Sequence, residues 1–259
     1  MLKKKQSLSF FAITDKGNKR KVNEDSFLIN EGLGLWVVAD GMGGHGSGDV
    51  ASKIATETIV QCVSEGYSLT DSIYLAHQQI LSAARQGLGQ WGMGTTVVAL
   101  KINGDDYEIG WVGDSRAYLL EGQQMYQLTR DHSMVQEMVD RGEISAAEAE
   151  FHPQRNVIVQ AVGSPEIDDV RVDVIADTMQ AGDMLLLCSD GLTTEVSEMD
   201  IAGILLESAD AEIKTKKLIT ASLTAGGKDN VTVVVVEKMQ NKGFYFKLKS
   251  INKFIKNLF

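Results

Sequence analysis

Four aspartates stand where apolar, strand-like runs of this chain begin or end. Asp40 follows Leu35-Trp36-Val37-Val38-Ala39, Asp114 follows residues 109–113, Asp190 follows residues 185–189, and Asp229 lies just ahead of residues 231–236. Glu24 and Asp25 adjoin a further run at 26–30. One Asp-Gly at a strand end is an ordinary turn. Repetition at distant points along the chain means that folding gathers carboxylates wherever the strand ends meet. A like-charged pair ~4 Å apart costs on the order of 4 kcal/mol at an effective dielectric of 20, so a gathered set needs cations. Without His or Cys companions, such hard oxygen donors select Mg²⁺ or Mn²⁺ over Zn²⁺.

The hydrophobic pattern sets the architecture around these acids. Runs at 8–14, 26–30 and 35–39 read as strands, each followed by turn-forming residues. Val50, Ile54, Ile59 and Val63 recur at helical spacing over 48–65, and Ile73, Ala76, Ile80 and Ala84 continue it after a Thr70/Asp71 start that suits an N-cap. Strands return at 95–102, 107–112, 117–120 and 124–128, and the turns at Asn103-Gly104-Asp105 and Glu121-Gly122 predict one antiparallel meander. Residues 131–170 are polar and mixed, with short helical patterns at 135–141 and 145–151, and read as an inserted flap. Strands at 170–175 and 184–188, helices at 197–208 and 211–224, and a strand at 231–237 complete the order. Strands and helix pairs in blocks predict an α+β fold: two antiparallel sheets face to face, helices outside.

Composition narrows the function classes. Hydrophobic residues at 44% and charged residues at 23% exclude a disordered chain, and 259 residues suffice for a sizeable core. Cys62 and Cys188 both lie in apolar runs, which gives no disulfide framework or Cys-based zinc site and suits a reducing cytoplasm. No run approaches 18 apolar residues, and the first ten residues lack a signal-peptide apolar stretch. Residues 238–259 carry six lysines and no acids, so residues 1–237 hold a net charge of −16. A body that acidic repels nucleic-acid phosphates, and no nucleic-acid partner is expected. In the tail, Phe244, Leu248, Ile251, Ile255 and Leu258 recur at helical spacing among lysines. Residues 242–259 thus suit an anionic membrane surface or a partner groove, the alternatives being a helix docked on its own domain or a disordered end.

Two familiar chemistries fail on detail. The glycine-rich stretch 43–48 could cradle phosphate, but no lysine occurs between Lys21 and Lys53 to complete a nucleotide-binding loop. Gly113-Asp114-Ser115-Arg116-Ala117 lacks the closing glycine of a serine-hydrolase elbow and leads into a strand.

Six motifs taken together are more specific. Arg20-Lys21-Val22-Asn23-Glu24-Asp25-Ser26, Val38-Ala39-Asp40-Gly41-Met42-Gly43-Gly44, Gly94-Thr95-Thr96, Val112-Gly113-Asp114-Ser115-Arg116, Ser189-Asp190-Gly191-Leu192 and Gly227-Lys228-Asp229-Asn230-Val231-Thr232 follow in order. In that order and spacing the chain, from about residue 9 to 237, resembles the bacterial branch of the metal-dependent Ser/Thr protein phosphatases of type 2C. The resemblance implies a central β-sandwich flanked by helix pairs and a centre of two Mn²⁺ or Mg²⁺ ions. On this chain Asp40 would bridge the ions, the Gly41 carbonyl would complete one, and Asp190 and Asp229 would hold the other. Glu24 and Asp25 would act through metal-bound waters, Asp114 with Asp190 would match a third, weaker ion site, and Arg20 would bind phosphate. Implied partners are phosphoprotein substrates and a cognate Ser/Thr kinase; a monomer in the cytoplasm is the simplest expectation, with the tail able to bring it to the inner face of the membrane.

The chain departs from the family pattern in two places. Met42 stands where many eukaryotic members carry a His proposed as general acid, and His45 reads as a solvent-facing loop residue. Gln160 replaces the Arg of a Thr-Arg pair common in bacterial relatives, which bears on substrate contacts. The remaining histidines carry no expected catalytic role. His132 reads as structural, His152 as the end of a flap helix, and His77 as lying on a helix surface.

Overall fold

A computed structural model describes residues 8–43, 47–167 and 169–239. The chain opens with β1 (Leu8–Asp15), β2 (Asp25–Asn30) and β3 (Leu35–Met42), then α1 (Gly48–Ser64) and α2 (Leu69–Arg85). Next come β4 (Gly94–Thr95), β5 (Val97–Asn103), β6 (Asp106–Val112), β7 (Arg116–Glu121) and β8 (Gln124–Gln127). The flap contributes α3 (Met134–Asp140) and α4 (Ala146–Ala149) before β9 (Asp173–Thr178) and β10 (Met184–Cys188). The chain continues through α5 (Asp190–Thr193), α6 (Glu198–Leu205) and α7 (Ala211–Ala225) to β11 (Val231–Lys238).

Two antiparallel sheets result, one ordered β1-β11-β10-β7-β8 and the other β2-β3-β5-β6-β9, with β4 paired to β3. The layering explains the sequence pattern residue by residue. Along β3, Trp36 and Val38 face the opposite sheet while Leu35, Val37 and Ala39 pack under α1 and α2. Along β11, Val234 and Val236 point into the sandwich while Val231, Val233 and Val235 meet α7. Both strands are covered on two faces, so both read as continuous apolar runs instead of alternating ones. Phe10 of β1 meets Trp36 edge-on across the sandwich, with centroids 5.5 Å apart.

Several expectations need correction. The four middle strands do not form one meander: β5 and β6 pair in one sheet and β7 and β8 in the other, so the chain changes sheets through residues 113–115. Gly113 permits this at φ +102°, and His132 ties the turn down, its Nδ1 accepting the Gly113 N–H at 3.2 Å. The second helix is capped two residues earlier than the Thr70/Asp71 start implies, by Ser68, whose hydroxyl accepts the Asp71 N–H at 3.0 Å. The expected strand at 170–175 forms at Asp173–Thr178, where it pairs with β6. His77 does not lie on a helix surface; it is fully buried between α2 and the flap, where its Nδ1 accepts the Gly163 N–H at 2.9 Å. His132 is buried, stacked on Trp111 and 3.1 Å from Asp173. His45 and the tail from residue 240 lie outside the described residues.

Trp36 is fully buried at the centre of the sandwich. Trp36→Ala should lower unfolding free energy by about 3–5 kcal/mol, measured by urea denaturation.

Candidate active site

Strand pairing brings the first two acids together directly. Asp25 and Asp40 are register partners where β2 and β3 leave the body of the sheet. Asp25 is also bound to the other sheet: its Oδ2 accepts from Ser189 Oγ beyond β10 at 2.8 Å and from Thr232 Oγ1 on β11 at 2.6 Å. Asp190 follows Ser189 as the first residue of α5, and Asp229 lies two residues ahead of β11. Asp114 sits on the crossover between β6 and β7, whose Ser115 hydroxyl lies 2.6 Å from that of Thr96. One end of the sandwich therefore collects acids from five separate chain segments.

Backbone approach around Asp40 requires glycine. A Cβ on Gly41 would lie 2.1 Å from the Gly48 carbonyl oxygen and 2.5 Å from that of Glu24. A Cβ on Gly191 would lie 1.9 Å from the Asn230 carbonyl oxygen, which explains the glycine after Asp190. Threonines hold the Asp40 main chain, because Thr95 Oγ1 donates to its carbonyl at 2.9 Å and the Thr96 N–H at 2.8 Å. Glu24 turns its Oε1 to the N–H of Gly48 at the start of α1, 3.1 Å away, where the helix dipole favours negative charge. Asn230 anchors this loop: its Oδ1 accepts the Glu24 N–H, and its Nδ2 donates to the carbonyls of Lys16 and Val22.

Positive charge near the cluster is scarce. Arg20, half exposed at the rim, donates to Asp229 Oδ2 at 2.6 Å. Arg116 is engaged in a two-point contact by Asp131, through Nε at 2.9 Å and Nη2 at 2.7 Å. Burial, with Asp25, Asp190, Asp114 and Asp229 adding like charge, pushes the Asp40 carboxyl well above the usual range. Burial raises Asp25 to about 7 against the two hydroxyl bonds it accepts, with Asp190 and Asp229 adding to the rise. Asp114 is raised to about 8 by burial and then by Asp190. Asp190 is also raised, by burial and then by Asp229.

The oxygens point the same way. Asp25 Oδ1 and Asp190 Oδ1 are buried without a hydrogen-bond partner. Among the described residues, no three His, Cys, Asp or Glu side chains already close into a metal-ligand group. The fit to cations rests on the mutual charge of the carboxylates, the two orphaned oxygens and the all-oxygen donor set, which suit hard divalent ions.

The Protein phosphatase 2C family profile matches residues 16–224. The chain belongs to this family. It is 38% identical over 244 residues to a serine/threonine phosphatase, stp, of Listeria welshimeri, an alignment covering 89% of this chain and 96% of the relative. It is 37% identical to the protein phosphatase PhpP of Streptococcus pneumoniae, covering 86% and 95%. Among solved structures, the Mycobacterium tuberculosis serine/threonine phosphatase PstP/Ppp superposes with a TM-score of 0.83 at 34% identity, covering 90% of this chain and 99% of that one. The PstP catalytic domain in complex with two manganese ions gives 0.80 at 32% identity, with the same coverage.

All the acids singled out in the sequence of this phosphatase lie at one end of the fold, with Arg20 at their edge. Sequence reasoning assigned no role to Ser189, Thr232, Thr95, Thr96 or Asn230, although each lies inside one of the six motifs. Their adjacency to the acids was the available signal; their hydrogen bonds depend on tertiary pairing. Gln160, whose replacement of the family's Arg is read from sequence as bearing on substrate contacts, has its side-chain oxygen on the Arg171 N–H at 3.1 Å, within the flap's own return path.

The raised carboxyls give a signed pH dependence. Their folded pKa values exceed the unfolded ones, so in chelator their contribution to stability is complete below about pH 4 and is lost as pH rises through about 7 to 8. Melting temperature in EDTA should fall relative to that in Mn²⁺ across this window, and parallel curves in a thermal-shift assay would contradict the cluster.

Proposed function

We propose that this phosphatase hydrolyses phosphoserine and phosphothreonine in proteins using two Mn²⁺ or Mg²⁺ ions at the acidic end of the sandwich. The single observation that carries the reading is the convergence of Asp25, Asp40, Asp114, Asp190 and Asp229 with orphaned oxygens and Arg20 at the rim. Asp40 would bridge the ions, with the Gly41 carbonyl completing one and Asp190 and Asp229 holding the other. Glu24 and Asp25 would act through intervening waters, and Asp114 with Asp190 would suit a third ion. When bound, the ions lower the pKa of a shared water and offset charge on the phosphoryl oxygens. The chain's own part is positional. Asp25 keeps the acid-bearing strand ends of both sheets in register, and the threonines fix the Asp40 main chain. Arg20 is placed to exchange Asp229 for phosphate oxygens, which its planar fork can hold in pairs.

Residues 1–237 form the catalytic domain in this reading, with the flap at about 131–170, and 238–259 are a separate basic tail. The partners we propose are phosphoprotein substrates and a Ser/Thr kinase whose products the enzyme reverses, with the phosphatase acting as a cytoplasmic monomer. The −16 charge on residues 1–237 disfavours a nuclease of similar metal chemistry. No helix among the described residues is long and apolar enough to cross a membrane. The lysine-rich tail would instead bring the enzyme to an anionic membrane surface. Cosedimentation with anionic liposomes is expected for the full chain and lost in a version ending at Glu237; equal, low binding by both removes this part of the proposal.

Turnover of a phosphothreonine peptide should require Mn²⁺ or Mg²⁺ and stop on chelation. Asp40→Asn and Asp190→Asn should each lose at least ~100-fold in kcat without unfolding, while Arg20→Ala should cost about tenfold in kcat/KM. Near-normal rates in either aspartate variant, or cleavage of an oligonucleotide in place of the peptide, would reverse the assignment.

A further inference from the structure

His77 lies on α2 with no exposed surface. Its Nδ1 accepts the Gly163 N–H at 2.9 Å, so the ring proton sits on Nε2, which has no hydrogen-bond partner among the described residues. A buried imidazole with one nitrogen unused costs free energy that an apolar side chain of similar size would not. The bond it does make lies at the root of the flap. Gly163 has φ +87°, and a Cβ there would lie 2.3 Å from Ile80 Cγ2, so the flap backbone packs directly on the Ile80 side chain of α2.

From Gly163 a short path of hydrogen bonds leads to the acids. Val162 and Thr95 exchange two backbone hydrogen bonds, at 2.8 and 2.9 Å. Thr95 donates its hydroxyl to the Asp40 carbonyl at 2.9 Å, beside the Thr96 N–H at 2.8 Å. We propose that His77 is a positioning residue of this phosphatase: by accepting from Gly163 it latches the flap root to α2 and, through Val162 and Thr95, holds the Asp40 main chain in place. This inference rests on the reading of Asp40 as a metal ligand.

Three variants test it. His77→Leu removes the acceptor, His77→Asn keeps an oxygen near the Nδ1 position, and His77→Gln moves the oxygen toward the Nε2 position. Amide hydrogen exchange over residues 157–165, measured without metal, reports the latch; kcat and KM for a phosphothreonine peptide report its effect. In His77→Leu, exchange at 162–163 should quicken and kcat should fall about tenfold with KM nearly unchanged, a loss of the size seen when outer partners of metal ligands are removed. His77→Asn should restore both. If His77→Leu does not fold, His77→Gln should show the same defects. Wild-type protection and kcat in folded His77→Leu, or an Asn variant as impaired as the Gln variant, would overturn the proposal. An inactive wild type would sink the functional reading instead, and exchange in the variants would still decide the latch.

Discussion

Asp25 joins the two sheets at the end of the sandwich where the fold holds most of its buried negative charge. It accepts hydroxyls from Ser189 and Thr232 on the opposite sheet, while its register partner on its own sheet is Asp40. The same residue thus brings the strand ends together and adds to the repulsion between them. Such a junction is tolerable only if protons or cations offset the charge, because removing carboxylates from water without compensation costs several kcal/mol each. In the proposed reading, stability and activity are linked through one set of oxygens.

The surrounding structure serves that junction by close backbone approach and neutral donors. Gly41 and Gly191 sit where any side chain would strike a carbonyl of a neighbouring loop. Asn230 fastens the loop from Lys16 to Glu24, and hydroxyl-bearing residues line the acids. Neutral donors orient carboxylates without neutralising them, leaving the field available for divalent ions. A lysine in their place would cancel the charge that the proposed ions require.

Much of the fold was legible in the sequence. Strand and helix positions followed from periodicity because β3, β11, α1 and α2 each bury a continuous apolar face. The meander was misread because turn chemistry reports that the chain reverses and says nothing about which sheet receives it. Val112 and Arg116 belong to different sheets, a fact that rests on Gly113 and on its contact with His132, 19 residues away. His77 was misplaced for a related reason. On α2 it follows the buried Ala76, and the flap, 86 residues later, meets its ring.

By itself the sequence determined the acidic inventory, the glycines beside it and the order of motifs that marks the family. These are local properties, set by residue type and spacing. Only the tertiary structure decided which oxygens face one another, that Arg20 rests on Asp229, and that Ser189 and Thr232 serve Asp25. Those bonds of Arg20, Ser189 and Thr232 join residues 164 to 209 positions apart. No local preference encodes them, because they exist only once burial of the apolar faces has brought the two sheets together.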